Sequence, residues 1–162
     1  MTAAESRQAH SPVVELVDLQ PQPAAVVPGH VAFDAIPDFL GSAFGEVMKV
    51  LADQGLAPAG PPFARWEPRA DGFDTEAGFP STGTVSPAGR VQPQTLPGGP
   101  TATALHRGDY AGIGTTYGVL NDWIAGNGYV ATGQPWECYL DEPGVPEPRT
   151  QVYLPCAEVP HP

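Results

Sequence analysis

The chain has 162 residues, 18 acidic against 7 basic, and a net charge of −11; that size suits one domain, and that balance excludes the basic stripe needed to bind nucleic-acid phosphates. No run of about 18 apolar residues exists to span a membrane, so neither nucleic acid nor membrane is an expected partner. The opening MTAAESRQAH lacks the plan of a secretory leader, and Cys138 and Cys156 make no disulfide framework, which points to the cytoplasm. In chain order, residues 1–11 read as a flexible tail, and VVELVDL (13–19) alternates like a strand. AAVVPGHVAF (24–33) reads as a second strand, with a kink or bulge expected at Pro28-Gly29. Pro37 then opens a helix whose apolar face is Leu40, Phe44, Val47 and Leu51, closed by Gly55. PFARWEP (62–68) and GFDTEAGFP (72–80) form a hairpin around residues 69–72. VQPQTLPGGPTATALHRG (91–108) supplies further strands. A second helix carries Ile113, Tyr117, Leu120 and Ile124, and PWECYLD (135–141) and RTQVYLP (149–155) are two more strands. Residues 157–162 read as a second flexible tail, which leaves 12–156 as the single domain.

The two helix faces share an offset of 73 residues, and the match continues beyond them. Gly55 falls on Gly128, Gly60 on Gly133, Pro62 on Pro135 and Phe63 on Trp136. Such agreement marks an internal duplication, with repeat units at about 13–80 and 91–155. Upstream, Gly29 can be placed on Gly108, which implies six extra residues before or within the first helix. The fold expected is α+β: duplicated strand-helix-strand-strand units, antiparallel sheets, and two main helices on one face. The opposite face is left as a possible groove.

Candidate chemistry concentrates in PWECYL. His10, His30, His106 and His161 have no metal-ligand spacing, so no metal and no cofactor is expected. GIGTTYG (112–118) has one residue too many for a dinucleotide turn, and no Lys-Ser/Thr follows Gly98-Gly99 for a phosphate loop. No GxSxG elbow is present. Strand alternation sets Trp136, Cys138 and Leu140 on one side, Glu137 and Tyr139 on the other. An acid beside an aromatic on an apolar strand is how a cation pocket is built, since the carboxylate supplies charge and the ring a quadrupole face. A plain solvent-facing glutamate is the competing reading. The repeat sets Glu137 on Ala64 and Tyr139 on Trp66, so a large aromatic recurs at equivalent positions facing one axis.

Taken in order, PPFARW, DGFDTEAGFP, LHRGDYAGIGTTYGVLNDWI, PWECYLDEP and RTQVYLP resemble the signatures of the gyrase-inhibitor-like (GyrI-like) small-molecule-binding domain, over about residues 13–155. The same domain is the effector-binding half of many AraC- and MerR-type multidrug-responsive regulators. The resemblance implies a ligand cleft between pseudo-two-fold halves and a bulky, aromatic or cationic small molecule as partner. It further implies a central acid at Glu137 and aromatic walls at Trp66, Tyr139, Tyr117 and Phe79. A subset of the family hydrolyses cyclopropanoid genotoxins, which would make Glu137 the catalytic acid. With only a dozen residues before the first strand, the expectation is a stand-alone binder, with such a hydrolase as the alternative. Any protein partner is left open.

Overall fold

The computed structural model describes residues 12–142 and 144–160. Among these residues, nine strands and two main helices are arranged as β1 (Glu15–Leu19), β2 (Gln22–Val31), α1 (Ile36–Asp53), β3 (Phe63–Arg69), β4 (Gly72–Pro80), β5 (Gln92–Leu96), β6 (Gly99–Arg107), α2 (Ile113–Gly126), β7 (Tyr129–Ala131), β8 (Trp136–Tyr139) and β9 (Arg149–Glu158). All pairings are antiparallel, in the order β1-β6-β9-β8-β3-β4-β2-β5, with β7 beside the end of β9. The α+β class read from the sequence is the one observed. Among the described residues, no helix is long and apolar enough to cross a membrane.

The duplication is visible element by element. Ile36 and Ile113 open the helices, 77 residues apart, while Gln54 and Asn127 cap their ends, 73 apart. The difference of four is the difference between the 18 residues of α1 and the 14 of α2. An insertion of about one helical turn leaves every later side chain on the same face. The strands before the helices keep the offset of 77, which carries Glu15–Leu19 onto Gln92–Leu96. Gly29 therefore matches His106 rather than Gly108, and four residues are inserted rather than six. Gly55 and Gly128 end the two helices at φ +73° and +79°, a conformation open to glycine at little cost.

Each helix buries the second half of its expected face, Val47 with Leu51 and Leu120 with Ile124, but the line continues through Ala43 and Thr116 instead of Phe44 and Tyr117. Ala43, Val47 and Leu51 on α1 match Thr116, Leu120 and Ile124 on α2. Small Ala43 and Thr116 let the helix axes close on the sheet. Leu40, Phe44, Ile113 and Tyr117 flank that line and are only partly buried. Helix α1 rests on β2 and β4, and α2 on β6, β7 and β9, so the central strands β3 and β8 lie between the helices.

The opposite face is no groove, contrary to expectation. Ala24, Val26, Phe63, Leu96, Trp136 and Cys138 form a buried cluster there. Its closure follows from connectivity. Only Gln20 and Pro21 join β1 to β2, and only Pro97 and Gly98 join β5 to β6, although these strands belong to opposite ends of the sheet order. The sheet must curl until its ends meet. The two connections touch so closely that a Cβ on Gly98 would lie 2.6 Å from the Pro21 ring.

Two local expectations also change. The β2–β4 ladder runs without a bulge through Pro28↔Glu76 and Gly29↔Thr75. Pro28 is tolerated because β5 pairs only with Gln22–Val26, so its missing N–H faces no strand. At the other end, Ala157 and Glu158 continue β9 against Val130 and Tyr129 instead of belonging to a tail. The tail assigned to residues 1–11 lies outside the described residues.

Candidate functional site

The two halves meet where β3 pairs with β8 through Phe63↔Cys138, Ala64↔Glu137 and Arg65↔Trp136. Glu137 thus pairs with its own repeat counterpart, Ala64, and the pseudo-two-fold axis passes between them. Ala64 and Val152, its neighbours on β3 and β9, are fully buried and small. Glu137 rises from this apolar floor and is itself only 2% exposed.

Three phenols surround it. Tyr117 on α2 donates to Oε2 at 2.5 Å, Tyr139 donates to Oε1 at 3.0 Å, and Tyr110 also donates to Oε1. Burial, and then the charge of Glu137, push the three hydroxyls well above the ordinary value of 10. They stay protonated, and act as donors. Among the described residues, no Lys, Arg or His lies within ion-pair distance of Glu137. Neighbouring Cys138 points to the opposite core, where burial pushes its thiol up to about 12. It is no nucleophile at neutral pH.

The aromatic residues expected around Glu137 sit on this helix-bearing face. Trp66 Nε1 donates to the Tyr139 hydroxyl at 3.2 Å, so these repeat counterparts meet across the axis. Phe79 on β4 packs edge-on against Phe44 of α1, with centroids 5.7 Å apart, and Phe44 in turn approaches Tyr139 at 6.3 Å. None of Phe44, Trp66, Phe79, Tyr117 and Tyr139 is fully buried. Phe79 connects to Glu137 through Phe44 and Tyr139.

Sequence reasoning missed Tyr110, and Phe44 as a wall residue. Tyr110 opens a 3-10 turn (Tyr110–Gly112) that belongs to no periodic pattern. The signal that finds it is the offset of 77, which sets it on Phe33 at the start of the matching turn, Phe33–Ala35. Tyr110 is 43% exposed although its hydroxyl reaches the buried carboxylate. The ring therefore bridges solvent and the floor of the site.

Other polar features have separate occupations. His106 is held by Thr116 Oγ1 at 2.9 Å and the Asp109 carbonyl at 2.8 Å, which ties β6 to α2. His30 contacts Asp74 and Asp71 at the tip of the β3–β4 hairpin. Two open surface grooves, of about 320 and 420 Å³, lie away from Glu137, beside Arg65 and Gln134 and beside Leu16 and Tyr129. Neither includes the three phenols around Glu137. The buried, unpaired carboxylate at the repeat axis is the more unusual chemistry.

The fold has known relatives. EcmrR, in its DNA complex, superposes with a TM-score of 0.79 at 22% identity, over 96% of this chain and 61% of that one. This chain thus spans about three fifths of EcmrR. The EcmrR C-terminal domain alone gives 0.77 at 22% identity, over 91% of this chain and 99% of that domain. A hydrolase from Listeria innocua gives 0.64 at 14% identity, over 95% and 98%. SAV2435, bound to tetraphenylphosphonium, gives 0.56 at 12% identity, over 90% and 94%. Comparison with curated proteins gave no match. Residues 12–157 match the GyrI-like small molecule binding domain, and the chain, whose duplicated halves close on Glu137, belongs to that family.

Proposed function

We propose that the strip between α1 and α2 binds bulky aromatic cations, with Glu137 as the countercharge and Trp66, Tyr117, Tyr139 and Tyr110 as walls. One observation carries this reading: a carboxylate 2% exposed with three hydroxyl donors and no cationic partner among the described residues. Burying an ion costs several kcal/mol even after relaxation, and phenol hydrogen bonds offset only part of that. A cation entering the site gains the uncompensated attraction. A cation with diffuse charge and an apolar surface gives up little hydration on entry. The ring faces add cation–π and dispersion contacts. SAV2435 with its tetraphenylphosphonium supports the reading by analogy of fold.

Glu137→Gln separates binding from stability. Affinity for tetraphenylphosphonium in a dye-displacement titration should fall by about 1–3 kcal/mol, while a neutral aromatic of similar size loses less. The melting temperature of the unliganded variant should equal or exceed that of the wild type, because a buried charge has gone. Undiminished cation affinity in the variant would remove Glu137 from the site.

A second reading rests on the contact of an acid with phenol hydroxyls, the pairing that acid–base hydrolysis uses. On that reading Glu137 is the catalytic acid of a cyclopropanoid hydrolase. Incubation with a cyclopropanoid compound, followed by mass spectrometry for the ring-opened product, decides between the two.

A further inference from the structure

We infer that the first repeat carries an apolar subsite, the uncharged twin of the Glu137 half, and that the ligand is an elongated amphiphile with one cationic head and a two-ring aromatic body. The inference rests on the reading of Glu137 as the cation's partner. Four positions define both halves. Phe33, Phe44, Ala64 and Trp66 in the first repeat correspond to Tyr110, Tyr117, Glu137 and Tyr139 in the second, through offsets of 77 before the helices and 73 within and after them. Every phenol that solvates the carboxylate has a counterpart without a phenolic hydroxyl, and the carboxylate's counterpart is a methyl group.

The apolar half is also longer. Phe73 on β4 stands edge-on between Trp66 and Phe33, with centroids 5.5 and 5.4 Å away and interplanar angles of 70° and 86°. Its counterpart in the second repeat, from β4 and β9 in matching register, is Pro148 (Val31↔Phe73 in the first ladder, Gly108 N–H to the Pro148 carbonyl in the second). Without a ring there, Tyr110 folds inward over Glu137. With one, Phe33 is held out at the mouth, 56% exposed. An aromatic track thus runs from the carboxylate through the Tyr139–Trp66 hydrogen bond to Phe73 and the solvent edge at Phe33. Its ring pairs are edge-on, whereas Trp136 and Tyr153 on the opposite, packed face are stacked at 14°. Edge-on contacts leave ring faces for a guest. A large ring this exposed, backed by two further rings, gains by being covered.

The test is calorimetric titration of benzyltrimethylammonium, with one ring, and (biphenyl-4-ylmethyl)trimethylammonium, with two, against the whole chain. The wild type should bind the two-ring probe about tenfold more tightly, the return on burying one more ring. Phe33→Ala, at an exposed position that leaves the fold intact, and the volume-sparing Phe73→Leu should each remove most of that advantage. Both should leave the one-ring affinity within about twofold. Equal affinities for the two probes in the wild type overturn the subsite, as does an advantage that survives both substitutions or an equal loss for both probes. Failure of both probes to bind the wild type overturns the carboxylate reading together with the subsite.

Discussion

The two repeats share a backbone plan and differ in what they dissolve. The second supplies Glu137 and the three phenols around it; the first supplies Ala64 with Phe33, Phe44 and Trp66 at the same positions. Duplication alone would yield two carboxylates facing each other across the β3–β8 ladder, and like charges that close in a dry site cannot both ionise at neutral pH. Placing the acid on one side of the axis avoids the conflict. It also polarises a symmetric site, so that one half solvates charge and the other only excludes water.

The strongest way to break that asymmetry is Ala64→Glu. The new carboxylate enters a fully buried position beside Glu137, with no phenol to receive it. The variant should lose about 3–5 kcal/mol and about 10 °C in melting temperature. A double variant that also carries Glu137→Ala should recover only part of this, because the first repeat lacks hydroxyl donors. Full recovery would mean that the phenols contribute nothing to holding the charge.

A gentler exchange swaps a single hydroxyl. Tyr117→Phe removes one donor to Glu137 and should cost about 1.5–3 kcal/mol in chemical denaturation. The reciprocal Phe44→Tyr, at the matching position on a half-buried ring, should change stability by less than about 1 kcal/mol. Equal effects from the two would show that the repeats are chemically alike.

The smallest expected difference is in pH response at the hairpin ends. His30 is raised above its ordinary 6.5 by its hydrogen bond to Asp74 and the charge of Asp71, and Asp74 is lowered from 3.8 by His30 and Arg69. The His30 contribution is complete below pH 6.5 and disappears as pH rises through the higher folded value. The Asp74 contribution is complete above pH 3.8 and disappears as pH falls through the lower folded value. Stability from this corner is therefore greatest between about pH 4 and 6.5. The matching ladder pair in the second repeat is Arg107↔Arg149, whose partner Asp141 titrates only in acid. His30→Asn should flatten the melting temperature above pH 6.5 by a small amount, since all these groups are exposed. An unchanged profile would exclude His30 as its source.

Helix faces, strands and the 73-residue offset were legible because burial imposes a period on the chain, and a duplicated burial pattern imposes it twice. Glu137, Trp66 and Tyr139 were legible for the same reason: alternation sets them on one side, and the repeat aligns two of them. Tyr110 was not. It lies in a 3-10 turn, where neither a period of 2 nor of 3.6 applies, and the four-residue insertion hid its match to Phe33. The closed opposite face was invisible for another cause. It depends on which distant strands the two-residue connections bring together, and no local pattern in VVELVDL or VQPQTL records that. Pro28 misled because its effect depends on where β5 stops.

One feature of the sheet has consequences for how the chain holds itself together. Strand β1 leads into the first repeat but pairs with β6 of the second, and β5 leads into the second but pairs with β2 of the first. Each half is completed by the other's leading strand. A fragment ending near residue 90 would keep β1 with nothing to lie on and leave β2 open along one edge. The other fragment would be wanting in the mirrored way. The halves are thus less like two modules glued at a seam than like two hands with fingers interlaced, and opening the central ladder alone would not let them part.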